Sequence, residues 1–563
     1  MKPALFVTLL FAAMPFTADA APRRAPVIPV APSVPTKPKL LVAIAVDQFS
    51  SDLFSEYRSR FSGGFKRLTS GAVFVRGHQS HAATETCPGH STLLTGDHPA
   101  RTGIIANDWQ DPKLERKDKD GKPTYDVYCV EAPGPVGSAA TPYTVSAESL
   151  RVPTLGDRMK MADPATRVVS VSGKDRAAVM MGGHNADLTL WWDGKQFTTY
   201  KGKEATIPAG IAAINGQAAA QIAAAAPITL PPGCSDHNRA TALNDKVSVG
   251  TLQLRKAGDA STWRTNPQFD TATLNAALLA MAAGKLGRNS GTDLLAISFS
   301  GTDYVGHAFG TQGAEMCTQL TRLDATLGRL FAALDATGIS YVVALTADHG
   351  GTDAPERNRQ NGLPLAQRAD IMLSAKAASA VVAKATGLEG PALIGRSTFG
   401  DMYLAPGVPA DKRATVLAAA IGYYKAHKQV AAVFAADELQ AAPAPSGPVD
   451  EWTLLERAKA SFDPARSGDF IVLLKEFVTP IPAPAQGINA THGSPWGYDR
   501  RVPILFWWKG MAGFEQPNAI ETVDIMPTLA SLIDLPLAVG EVDGRCLDLV
   551  VGAASNCFKQ SNP

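Results

Sequence analysis

Cysteine is scarce in this chain of 563 residues: there are six, and no two of them form a C-x-x-C pair. That spacing excludes ribbon-type soft-metal sites and dithiol redox motifs. An excess of one charge is also missing, since 53 Lys and Arg stand against 52 Asp and Glu, intermixed along the chain, for a formal net charge of +1. With no basic stripe to neutralise a phosphate backbone, nucleic acid is not an expected partner. Long hydrophobic runs are lacking too. The apolar stretch within "MKPALFVTLLFAAMPFTADA", residues 1–20, is too short to span a bilayer, and no later stretch is apolar enough. Stable membrane insertion is therefore not expected.

What residues 1–20 do carry is Lys2, a short apolar run and small residues at Ala18 and Ala20, the pattern of a cleaved signal peptide. Residues 21–38, rich in proline and alanine, read as an extended tether. The expected location is periplasmic or secreted, an oxidising setting in which the cysteines form disulfides. Cys546 and Cys557 close a short loop; Cys87–Cys129 and Cys234–Cys317 are expected only because they are near in sequence, and other connectivities stay open.

From Lys39 onward the pattern is that of an α/β fold: a mostly parallel sheet with helices on both faces. "KLLVAIAVDQFSSDLF" is an unbroken apolar run ending at Asp47, and "GTDLLAISFSGTDYVGHAFG" and "SYVVALTADHGG" repeat the design. Between the last two, "EMCTQLTRLDATLGRLFAALDATG" has helical spacing and a capping glycine at Gly338, which makes a βαβ unit. "RVPILFWWKG" reads as a further strand and "TVDIMPTLASLIDL" as a closing helix. Segments at about 110–150, 180–265 and 357–490 break the alternation and are expected to be cap insertions within one domain spanning 39–563. A monomer is the expected state.

Ligands in such sheets bind beyond the carboxyl ends of the strands, so Asp47, Asp303 and Asp348 should converge there. His307 follows Asp303 at i+4, His349 adjoins Asp348, and His492 lies in "NATHGSPWG". Three carboxylates with three imidazoles suit Zn²⁺ better than Mg²⁺ or Ca²⁺, and they exceed the needs of one tetrahedral ion, so two Zn²⁺ are expected. Alone, each of these residues would read as a turn or an exposed pair. "DKDGKPTYD", from Asp118, lacks the pattern of a Ca²⁺ loop and reads as a solvated hairpin.

"HAATETCPGHSTLLTG" sets Thr86 before Pro88 and a helical run, which predicts Thr86 at a helix N-terminus facing an anion. A plain cap is the alternative. Beside zinc, however, the hydroxyl becomes a nucleophile at neutral pH.

With these residues in hand, the chain resembles the alkaline phosphatase superfamily, and within it the exported monoesterases with a threonine nucleophile, the PhoK-like and PafA-like enzymes. The resemblance rests on "VAIAVDQF", "ATETCPGHSTLLTG", "GIIANDW", "SGKDRAAV", "GTDYVGH", "TADHG" and "THGS". It implies that Asp303, His307 and His492 bind one zinc while Asp47, Asp348 and His349 bind the other, with Thr86 at the second. It further implies hydrolysis of small phosphate monoesters through phosphothreonine, with Asn107, Lys174 and Arg176 on the non-bridging oxygens. Activity should then rise above neutral pH and vanish on chelation.

Three rivals are weighed against this. A nucleotide pyrophosphatase/phosphodiesterase shares the site, but a diester offers one charged oxygen fewer to Lys174 and Arg176. A sulfatase would need Cys-x-Pro-x-Arg, whereas Cys87 is followed directly by Pro88. A non-catalytic zinc or phosphate binder would have no use for the threonine.

Overall fold

Strand Leu40–Val46 (β1) is buried along its whole length, and its alternating side chains feed two separate cores. Leu40, Val42, Ile44 and Val46 point to one face, Leu41, Ala43 and Ala45 to the other. A strand of continuous apolar residues can be satisfied only in this way, by cover on both sides. Each fully buried aliphatic side chain contributes about 2 kcal/mol. The computed structural model in which this is seen describes residues 37–557, apart from 115, 118–119, 133–142, 226–227, 253 and 551–554. The expected signal peptide, and all of the tether but its last two residues, lie outside the described residues.

The other strands of the main sheet are Ala72–His78 (β2), Val168–Ser172 (β3), Leu188–Trp192 (β4), Phe197–Thr198 (β5), Asp293–Phe299 (β6), Tyr341–Thr346 (β7), Arg501–Trp508 (β8), Phe514–Gln516 (β9) and Ile520–Glu521 (β10). Their order is β9-β2-β8-β7-β1-β6-β3-β4-β5, with β10 also on β2. The run from β7 to β4 is parallel throughout. β8 is antiparallel to both of its neighbours. This is the expected α/β class.

Four of the helices packed on this sheet are Thr86–Thr95 (α1), Asp175–Gly182 (α2), Gly301–Phe309 (α3) and Ala314–Ala336 (α4). α4 forms the βαβ crossover between β6 and β7 and packs Leu320, Leu327 and Phe331 into the first core; Gly338 beyond it has the positive φ of a capping residue. On the opposite face Leu93 and Leu94 of α1, Met181 of α2 and Leu529 of the closing helix Ile525–Ser531 fill the second core.

One expected boundary needs correction. The insertion placed at 180–265 starts too early, because β4 and β5 fall inside it and belong to the main sheet. "LTLWW" is short, and its flanking glycines resemble those of a loop, so its burial on both faces was not visible locally. Within 357–490, by contrast, residues 393–394, 400–404, 470–474 and 430–435 form a separate four-stranded antiparallel sheet in that order. It has its own core around Met402, Tyr424 and Phe470. The hairpin expected near Asp118 is present as Arg116–Lys117 paired with Pro123–Thr124, although Asp118 itself is outside the described residues.

All three expected disulfides are formed: Cys87–Cys129, Cys234–Cys317 and Cys546–Cys557. Among the described residues, no helix is long and apolar enough to cross a membrane.

Candidate active site

Because β7, β1 and β6 are parallel neighbours, their carboxyl ends share one edge of the sheet. Asp47 follows β1 directly, Asp348 and His349 follow β7, and Asp303 and His307 ride one turn apart on α3, just after β6. His492 arrives on a loop. The structure gathers them into two sets, Asp47 with Asp348 and His349, and Asp303 with His307 and His492, the donor atoms within each set lying within 4.8 Å of one another.

Each histidine is oriented from behind. His307 Nδ1 lies 3.0 Å from the Ala490 carbonyl, His492 Nδ1 2.8 Å from that of Thr84, and His349 Nδ1 2.9 Å from that of Gly350. A carbonyl only accepts, so in each ring Nδ1 donates and Nε2 turns its lone pair into the site. His307 Nε2 and His492 Nε2 are 3.2 Å apart, two lone pairs that call for a cation beside them. Asp47 Oδ1, Asp303 Oδ1 and His349 Nε2 are buried with no hydrogen-bond partner. Orphaned acceptors of this kind cost free energy. The donor set therefore fits metal ions of the zinc type.

Lys174 serves two of the carboxylates: its Nζ stands 2.7 Å from Asp47 and 2.5 Å from Asp303. Burial, then repulsion from Asp303 and Asp348, pushes the Asp47 carboxyl well above the usual range despite Lys174. The backbone is strained at the same place. Gln48, with φ of 61°, adopts the left-handed region and donates its N–H to Asp348 Oδ1 at 3.1 Å.

Thr86 is the first residue of α1, with Glu85 in the capping position, so the hydroxyl is not spent as a cap. It is almost fully buried, and both Lys174 Nζ and Arg176 NH2 come to 3.5 Å from Oγ1. Gly89 allows α1 to settle here, since a Cβ would meet the Asp348 carbonyl oxygen at 2.0 Å. Asn107 is fixed by three bonds. Its Oδ1 accepts from Cys87 N at 2.8 Å, its N–H donates to Glu85 at 2.7 Å, and its carbonyl accepts from Cys129 N at 2.9 Å. Its side-chain NH₂ is left as a donor for the cavity that it lines, about 820 Å³ in volume.

Several participants were not singled out from sequence. His90, four residues after Thr86, is fully buried and sets Nδ1 2.9 Å from the Thr86 carbonyl and 3.0 Å from Asp348 Oδ2. Its one-turn spacing from Thr86 was the available signal. Tyr128 and Tyr143 both donate to Asp175 at 2.7 Å, and Tyr128 also accepts from Arg176 at 3.3 Å. They come from a segment that reads locally as a loop. Glu85, beside the threonine, is pushed up to about 7 by burial.

A family model described as type I phosphodiesterase / nucleotide pyrophosphatase matches residues 41–493. The chain belongs to that family. Similar relatives include alkaline phosphatase PhoK of Sphingomonas sp, 52% identical with 93% of each chain covered. Alkaline phosphatase PhoD of Zymomonas mobilis subsp. mobilis is 49% identical, with 92% of this chain and 89% of that one covered. Among solved structures, wild-type alkaline phosphatase PafA superposes with a TM-score of 0.77 at 26% identity, covering 92% of this chain and all of the other.

Proposed function

We propose that this protein is an alkaline phosphatase that hydrolyses small phosphate monoesters through a phosphothreonine at Thr86, with two Zn²⁺ at the strand ends. Relatives named alkaline phosphatases at about half identity support the monoesterase activity. The observation that carries the finer reading is the threonine hydroxyl in reach of Lys174 and Arg176, beside two sets of buried donors with orphaned lone pairs. Asp303, His307 and His492 would hold one ion and Asp47, Asp348 and His349 the other. When bound, such a pair supplies Lewis acidity that favours ionised oxygens and offsets negative charge.

The chain's own groups do the rest. Arg176, Lys174 and the Asn107 NH₂ bind the phosphoryl oxygens, aided by the N-terminus of α1. Thr86 Oγ1 gives its proton to water in the cavity and attacks phosphorus in line as the bond to the leaving-group oxygen breaks, the alkoxide then taking up a proton from water and leaving as the alcohol. Water then cleaves the phosphothreonine and restores the hydroxyl. Two cations together suit a dianion, whereas a diester offers them one charged oxygen fewer.

Cys87 is held in a disulfide, which supports setting the sulfatase reading aside. Three disulfides also favour an oxidising compartment, periplasmic or extracellular. Turnover of a chromogenic phosphate monoester beside the matching diester, before and after EDTA, tests the proposal. Monoester hydrolysis that exceeds diester hydrolysis, rises above neutral pH and is lost on chelation is the expected result. A preferred diester, or full rates in excess chelator, would refute it.

A further inference from the structure

The wall of the cavity holds a cation that phosphoryl binding does not use. Arg264 ends the short helix Ala260–Arg264, and the residue before it, Trp263, is fully buried against Trp192 and Phe269 with ring centroids 4.9 and 5.1 Å away. Trp263 Nε1 also donates to Gln221 at 3.1 Å. The helix end is thus pinned to the main core, and Arg264 is held at the cavity wall.

Its guanidinium lies over the ring of Tyr304, 4.5 Å from the centroid, and donates to the Tyr304 hydroxyl at 3.3 Å. Lys174 Nζ stands 5.2 Å from the same centroid. Arg264 and Lys174 thus border the same aromatic ring, which places a second cation beside the part of a small substrate that lies beyond its phosphoryl group. Arg396, elsewhere on the wall, is neutralised by Asp108 at 3.3 Å and Asp126 at 3.4 Å. Arg264 forms no ion pair with any described carboxylate; its polar contact is Tyr304. A half-buried arginine with no carboxylate partner among the described residues keeps its charge uncompensated, and a bound anion would compensate it.

We propose that Arg264 is a second anion-recognition residue, which selects phosphate monoesters whose leaving group carries a carboxylate or a further phosphate. This rests on the monoesterase reading above. A planar fork of donors suits either group.

A matched pair of substrates tests it: 4-carboxyphenyl phosphate and its neutral isostere 4-carbamoylphenyl phosphate, with the wild-type holoenzyme, Arg264→Gln and Arg264→Lys. The wild type is expected to favour the carboxylate in kcat/KM by about tenfold, the worth of one charge-assisted hydrogen bond in a partly screened cavity. Arg264→Gln should abolish that preference and leave the amide substrate within about twofold, Arg264→Lys should retain part of it, and added salt should shrink it. A wild-type ratio near one would overturn the proposal. So would an equal slowing of both substrates in Arg264→Gln, the signature of mere packing on Tyr304. Hydrolysis of the neutral ester reports on the monoesterase reading separately, so the ratio alone decides on Arg264.

Discussion

Two buried clusters of carboxylates and imidazoles lie at opposite ends of α1, and they differ in how their charges are met. At its N-terminal end Asp47, Asp303, Asp348 and three histidines converge with orphaned acceptors and one lysine. At its C-terminal end His98 sits between Glu521 at 3.0 Å and Asp543 at 3.3 Å, while Arg101 and Arg545 reach Asp543 and Asp524. In the second cluster Glu521, Asp524 and Asp543 each meet a cation, and the cluster joins the C-terminal loop to the sheet. The first is starved, and its deficit is what a pair of dications would fill. Burial and residue type alone do not separate a structural cluster from a functional one; the balance of donors and acceptors does.

The largest test removes the nucleophile. Thr86→Ala should lower monoester turnover by about 10⁴-fold or more with the melting temperature unchanged, because the hydroxyl faces ligand and not a packing partner. Arg176→Ala is next, with about 100-fold lost in kcat/KM for a monoester and much less for the matching diester. Equal losses on both would place Arg176 outside phosphoryl recognition.

A third pair of variants sets the clusters against each other. In metal-free protein, Asp47→Asn should raise stability by about 1 kcal/mol by relieving repulsion from Asp303 and Asp348, while abolishing activity in the loaded enzyme. Glu521→Gln should do the reverse, costing about 2 kcal/mol in thermal denaturation with kcat retained. If both variants destabilise, the contrast between the clusters fails.

The smallest effect is one of pH. Burial pushes the His98 imidazole down, but hydrogen bonds to Asp543 and Glu521 outweigh it and carry it up to about 9. Around it also lie Trp452, at 5.7 Å between ring centroids, and Ser80, which shares Glu521. A histidine raised on folding stabilises the protein fully below its unfolded value near 6.5, and that contribution fades as pH climbs through about 9. Melting curves from pH 7 to 10 should fall by a few °C, and His98→Asn should flatten the fall.

Much of the sheet was legible because β1, β6 and β7 are buried on both faces and so read as continuous apolar runs that stop at the site residues. Asp47, Asp303, Asp348 and His349 followed from strand ends and His307 from its spacing, while His492, on a loop, was pointed to by its short motif. β4 was misplaced because five residues between glycine-rich turns carry no period that separates core from loop. His90 and the Tyr128–Asp175–Tyr143 group escaped because their role depends on contacts between distant segments. The starved state of the first cluster was likewise invisible, since an orphaned lone pair is a property of geometry and not of composition.

The central claim is that each of the two donor sets beside Thr86 binds one zinc ion. Anomalous scattering from crystals of the purified holoenzyme, recorded on either side of the zinc edge, examines it directly. The account predicts two peaks, one within reach of Asp47, Asp348 and His349 and one within reach of Asp303, His307 and His492. A map with no peak at either set, or with zinc only elsewhere in the molecule, would contradict it.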